Sequence, residues 1–181
     1  MRKMSYVKMT ILTALSIALC VVLPMAFHAI PGAGFILLPM HIPVLLCGLI
    51  CGWRFGLIAG VLGPLLSSLI TGMPMAAFLP SMMVELGVYG LAAGFMIQVI
   101  DSKRVFADLY ISLVCAMIIG RIIAGISLAL IFSPGTYTMA AWITAFFVTS
   151  MPGMIIQLAF LPSIVIALEA AGLIPKRMQK G

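Results

Sequence analysis

The chain has 181 residues, 64% of them hydrophobic and only 8% charged, with a net charge of +6 and a mean hydropathy of +1.30. A soluble domain is about 45–50% apolar and about 25% charged, so a soluble fold of this size is excluded. Long apolar stretches recur along the whole chain, which predicts α-helical spans and not the alternating strands of a barrel.

The first predicted span runs from about Val7 to Leu23 and ends at Pro24. Arg2, Lys3 and Lys8 precede or open it, but no small-residue cleavage pattern follows, so it reads as a retained span and not a signal peptide. Ala14 and Ala18 lie one turn apart with Ser16 nearby, giving this helix a small-residue face for close helix contact. From His28 to Met40 the loop HAIPGAGFILLPM carries Pro31, Gly32, Gly34 and Pro39. It is uncharged and largely apolar, so it is predicted to fold back over the bundle as a lid or re-entrant segment.

Span two starts near Phe35 or His41, is broken or kinked at its beginning by Pro39 and Pro43, and ends at Gly52. Trp53 and Arg54 form a short turn, and span three covers Phe55 to Thr71. Gly48, Gly52, Gly56 and Gly60 recur every four residues across that turn, a spacing that lets backbones approach closely. Span four, about Phe78 to Ile100, places Ser81, Glu85 and Tyr89 on one face. Span five is Ala107 to Phe132, with Arg121 inside it. Span six runs from about Ala141 to Leu173, kinked at Pro152 and Pro162.

The predicted fold is therefore a single all-α membrane domain over residues 1–181, with six transmembrane helices. Arg2, Lys3, Lys8, Arg54, Lys103, Arg104, Lys176, Arg177 and Lys180 all fall on one side of this arrangement, and the three connections on the other side hold no Lys or Arg. The positive-inside rule then makes both termini cytoplasmic and places the protein, multi-pass, in the cell membrane. The same clustering at span ends marks the positive charge as a topology signal and not a nucleic-acid surface.

Arg121 is the one cation far from a span end. A guanidinium at mid-membrane costs at least about 2.5–3.5 kcal/mol, so it must face protein, water or an anion. At about 1.5 Å per residue, Glu85 and Arg121 lie within roughly one turn of the same depth in the outer half of the membrane. The two charges predict either a structural ion pair or an outward-facing pocket in which Arg121 meets an anionic ligand group through paired N–H donors. Tyr89, His41, Trp142 and Gln157 are further candidate binding residues; Trp142 also reads as an interfacial anchor. Cys20, Cys47, Cys51 and Cys115 read as small apolar packing residues. His28 and His41 have no second metal ligand at helical spacing. There is no HExxH, no Walker A sequence and no pair of membrane aspartates, so no enzyme activity, metal or cofactor is expected in this chain. Energy for any active transport would come from a partner or an ion gradient.

The pattern resembles the substrate-binding S component of energy-coupling factor (ECF) transporters. Ala14-x-x-x-Ala18 looks like the family's docking signature, and the apolar loop after span one looks like its gating loop. The segment LLPMHIPVLLCGLICGWRFGLIAGVLGPLLSSLITGMP, Leu37 to Pro74, looks like the vitamin-uptake branch that includes pantothenate and pyridoxine transporters. The resemblance implies a small vitamin bound near the outer face, a membrane-embedded coupling subunit docked on Ala14 and Ala18, and two cytoplasmic ATPases that use ATP. Within that branch an intramembrane arginine favours pantothenate, which carries a carboxylate; pyridoxine and hydroxymethylpyrimidine would need ring stacking more than Arg121. Competing classes are a stand-alone ion-coupled carrier and a membrane assembly factor without a ligand.

Overall fold

A computed structural model describes residues 4–27, 33–100, 102, 104–134 and 137–175. His28 and the 29–32 part of the expected lid, Lys103, Gly135, Thr136 and the terminal basic clusters Arg2/Lys3 and 176–181 lie outside the described residues. Every described element is helical. The elements are α1 (Tyr6–Phe27), α2 (Ala33–Leu37), α3 (His41–Cys51), α4 (Trp53–Thr71), α5 (Leu79–Val99), α6 (Val105–Ser127), α7 (Met139–Ile143) and α8 (Met151–Ala170), with π-helical turns at Leu128–Phe132 and Thr144–Thr149.

Among the described residues, five helices are long and apolar enough to cross a membrane: Tyr6–Phe27, Trp53–Thr71, Leu79–Val99, Val105–Phe132 and Met151–Ala170. Of three expectations, two need correction, while the second span keeps its expected bounds, from His41 to Gly52, but is short. The first span does not end at Pro24 but runs on to Phe27. A proline disturbs only the bond to the carbonyl one turn back, which a helix in a membrane tolerates near its end. The second span is a helix of 11 residues, about 16 Å and so roughly half a hydrocarbon core. It is preceded by α2 and by a turn in which Leu38 takes a left-handed φ of 51°. Third, the sixth span is two pieces. The chain breaks at Ser150 (φ −90°, ψ 3°), and Pro152 sits in the first turn of α8, where its missing N–H costs nothing. Pro162, by contrast, is buried inside α8 without interrupting it.

The core is built around α4 and α5, which share the most extensive contact, with α3 and α1 packed on them. Small residues make this possible. A Cβ at Gly56 or Gly90 would run into the backbone of the other, and one at Gly60 into the Leu86 carbonyl. The Gly48–Gly60 repeat thus does what its spacing predicts and brings backbones into direct contact. Gly52, at φ 92°, makes the turn between α3 and α4, a conformation open to glycine and costly for other residues. Three thiols fasten the same block. Cys47 Sγ donates to Thr13 Oγ1 at 3.6 Å, Cys51 Sγ to the Met9 carbonyl at 3.8 Å and Cys20 Sγ to the Met40 carbonyl at 3.7 Å. No disulfide forms among Cys20, Cys47, Cys51 and Cys115.

The fourth connection is held by Asp108. Its Oδ1 accepts from the Ser102 N–H at 2.8 Å and from the Ser102 hydroxyl at 2.6 Å. A carboxylate in the first turn of α6 also complements the positive end of the helix dipole.

Candidate functional site

Hydrogen bonds at the end of α4 shape one end of the bundle. Ser67 Oγ donates to the Met73 carbonyl at 2.7 Å and Ser68 Oγ to the Pro74 carbonyl at 2.8 Å. They fold the 72–78 turn over the start of α5. On the other side α2 leans on α8 at Gly153, where a Cβ would lie 2.6 Å from the Ile36 carbonyl. Between these two caps lies a cavity of about 220 Å³, lined among others by Leu38, Met40, His41, Met73, Met75, Phe78, Met82 and Glu85. This is the end that the charge pattern assigns to the outside.

Glu85 and His41 are the ionisable groups in that lining. His41 opens α3, is 3% exposed, and its Nε2 lies 3.2 Å from Glu85 Oε1. Its ring meets Tyr89 edge-on, with centroids 5.0 Å apart. A neutral imidazole with the proton on Nε2 donates to the carboxylate; Nδ1 then has no partner. His41, one of the candidate binding residues, therefore lines the cavity beside Glu85.

Arg121 is not Glu85's partner. No ion pair joins them among the described residues; the only short acid–base contact there is His41 with Glu85. The guanidinium, 2% exposed, donates from Nη1 to Ser150 Oγ at 2.9 Å. It lies over the rings of Phe146 and Phe147 at 5.7 and 5.5 Å. Aromatic faces attract a desolvated cation, so the break before α8 turns three side chains toward the charge. Nε stays without a hydrogen-bond partner. Equal depth on two helices did not make the two charges neighbours, because depth fixes height and not azimuth.

Tyr89 lies between the two. It is buried against Gly120 of α6, and its hydroxyl is within electrostatic reach of both Glu85 and Arg121. Gln157 of α8 is also fully buried, with Nε2 unpartnered. Trp142 does not line this cavity. Its indole N–H donates to the Arg121 carbonyl at 3.1 Å, and the ring packs on Gly125. It also lines a separate apolar groove of about 370 Å³ with Ile122, Gly125, Ile126 and Tyr137. Ile122 and Ile126 are themselves exposed, so that groove opens to the side of the bundle.

The sequence reading missed the four methionines, Ser150, the Phe146–Phe147 pair and Tyr137. Partly desolvated and near the Glu85 charge, the Tyr137 phenol is pushed above its ordinary range. Methionines abound in this chain, 15 of 181 residues, and nothing in their spacing singled these four out. Ala14 and Ala18 are exposed on α1 beside Ile11, Leu15 and Val22, on the face opposite buried Thr13, Ser16 and Cys20.

The model of one protein family, "ECF transporter, substrate-specific component", matches residues 7–165. No curated protein and no solved structure matches the chain. The match covers well over half of the chain, its motif-bearing first helix and all of the residues placed above around the cavity. The chain, a multi-pass protein of the cell membrane, belongs to the family of ECF transporter substrate-specific components.

Proposed function

We propose that this chain captures a small vitamin in the cavity between α2 and the 72–78 turn and delivers it inward as one member of a membrane complex. Family membership supplies the coarse frame: a transporter component and not an enzyme, with a small-molecule substrate, a coupling subunit and ATPases. The observation that carries the finer reading is the cavity itself, about 220 Å³ with Glu85 and His41 set in an otherwise apolar wall. Few convergent polar groups in an apolar concavity are what a small-molecule site needs.

In this reading the chain crosses the membrane six times, the α2–α3 stretch serving as the short second crossing, with both termini cytoplasmic. The exposed Ala14/Ala18 face of α1 receives the coupling subunit, two cytoplasmic ATPases consume ATP, and the chain itself needs no cofactor. A second reading, that the vitamin is pantothenate, rests on the buried intramembrane Arg121 and requires that side chain to turn into the cavity, whose lining does not include it. A thermal-shift screen of the purified chain against a vitamin panel tests capture. Stabilisation by one compound is the expected result, and a folded chain that responds to none would refute it. Uptake that persists in cells lacking the ATPases would instead mark a stand-alone ion-coupled carrier.

A further inference from the structure

Building on the reading that the cavity beneath α2 is the capture site, we infer that its ligand is a small, flat nitrogen heterocycle that donates hydrogen bonds to Glu85, and not an anion. The polar side chains of the wall are the Glu85 carboxylate and the His41 imidazole. Glu85 Oε1 is engaged by His41 at 3.2 Å, and a carboxylate has acceptor capacity beyond that one contact. No Lys or Arg lines the cavity. Arg121, the nearby cation, is turned toward Ser150, Phe146 and Phe147. A ligand carboxylate placed here would face the Glu85 carboxylate with no Lys or Arg between them, and like charges at close range in a water-poor site repel strongly. A protonated ring nitrogen, an exocyclic amine or a hydroxymethyl group would give Glu85 a further donor beside His41.

The apolar wall points to a ring. Met40, Met73, Met75 and Met82 surround the space with Phe78. Thioethers are polarizable and adaptable, and make favourable contacts with aromatic rings; Phe78 offers an offset-stacked or edge contact. The volume sits below the roughly 300–1,000 Å³ of sites for drug-sized ligands, which suits one substituted ring and excludes large fused systems.

The test is isothermal titration of the full chain in lipid nanodiscs. The probes are pyridoxine and 4-amino-5-hydroxymethyl-2-methylpyrimidine, each paired with the analogue in which a carboxylate replaces a hydroxymethyl group, together with pantothenate and its alcohol pantothenol. One of the two alcohol heterocycles is expected to bind, its acid analogue at least tenfold more weakly. Glu85→Gln should weaken the heterocycle at least tenfold and leave pantothenate binding, if there is any, unchanged. An acid that binds as well as its alcohol, or heterocycle binding indifferent to Glu85→Gln, would overturn the inference. So would pantothenate binding that pantothenol does not share, although capture itself would then stand. A folded chain that binds none of the six probes would overturn the heterocycle assignment and leave the vitamin panel above to judge capture. Should Glu85→Gln misfold, the comparison of alcohol with acid on the unaltered chain still decides.

Discussion

The two sides of this bundle are held together by different means. Around α4 and α5 the backbones themselves touch, Gly56 against Gly90 and Gly60 against Leu86, and buried thiols fasten α1 to α3. Around α6, α7 and α8 the helices meet through side chains: a tryptophan indole on a carbonyl, an arginine on a serine and two rings, and two π-helical turns. The first side is a closed joint with no room for a different arrangement. The second has unpartnered polar atoms on Arg121 and Gln157 and an open groove. Glu85 stands at the border, on the rigid α5, where it is held in place without being covered.

The largest effect should come from breaking the closed joint. Gly90→Leu forces a side chain into the Gly56 backbone. Overpacking by even a few methylenes costs about 1–3 kcal/mol, and here the obstacle is main chain that cannot turn away. Loss of folded, monodisperse protein in size-exclusion chromatography is expected. A Gly90→Leu protein with an unchanged melting temperature would show that α4 and α5 are not in backbone contact.

The border is sharpened by double-mutant cycles. His41→Asn with Glu85→Gln should show a coupling of at least about 0.5 kcal/mol in thermal or denaturant unfolding, because the two side chains touch. Arg121→Met with Glu85→Gln should be additive within about 0.5 kcal/mol, as expected of groups that do not pair. A larger coupling in the second cycle than in the first would restore the Arg121–Glu85 pair that equal depth suggested.

On the looser side, Trp142→Phe removes one hydrogen bond to the Arg121 carbonyl while keeping a ring against Gly125. A loss of about 0.5–1.5 kcal/mol is expected, measured by the same unfolding assay. The smallest effect on stability belongs to Ala14→Leu and Ala18→Leu. Both positions are exposed, so melting and ligand binding should hold while uptake into cells falls. Uptake at the unaltered rate would leave that face as ordinary lipid-facing surface.

What the sequence could tell follows the same division. Helices of twenty apolar residues announce themselves by composition, and a glycine every fourth residue announces a backbone contact, since both are local patterns. Glu85, Tyr89 and His41 were found because polar groups are rare in such stretches. Their pairing was not, because it depends on how α3 and α6 rotate against α5, and hydropathy carries no record of rotation. The break at Ser150 was also hidden: Pro152 suggested a kink, but a proline in a helix's first turn and one that bends a helix look alike until the neighbours are placed. Met40, Met73 and Met75 reach the cavity through connections whose path only the folded chain reveals.

Leu38 has a consequence for timing. A left-handed conformation costs an L-residue roughly 1–2 kcal/mol, and Leu38, at φ 51°, adopts it in the turn that joins α2 to α3 and forms part of the cavity wall. Seating α2 on Gly153 therefore works against a small opposing force in the backbone. On the proposed reading that this cavity captures the ligand, Leu38→Gly, which removes that backbone cost, should slow ligand release by up to about tenfold for each 1.4 kcal/mol and leave the rate of encounter nearly untouched, as read from the dissociation and association rates of the bound vitamin.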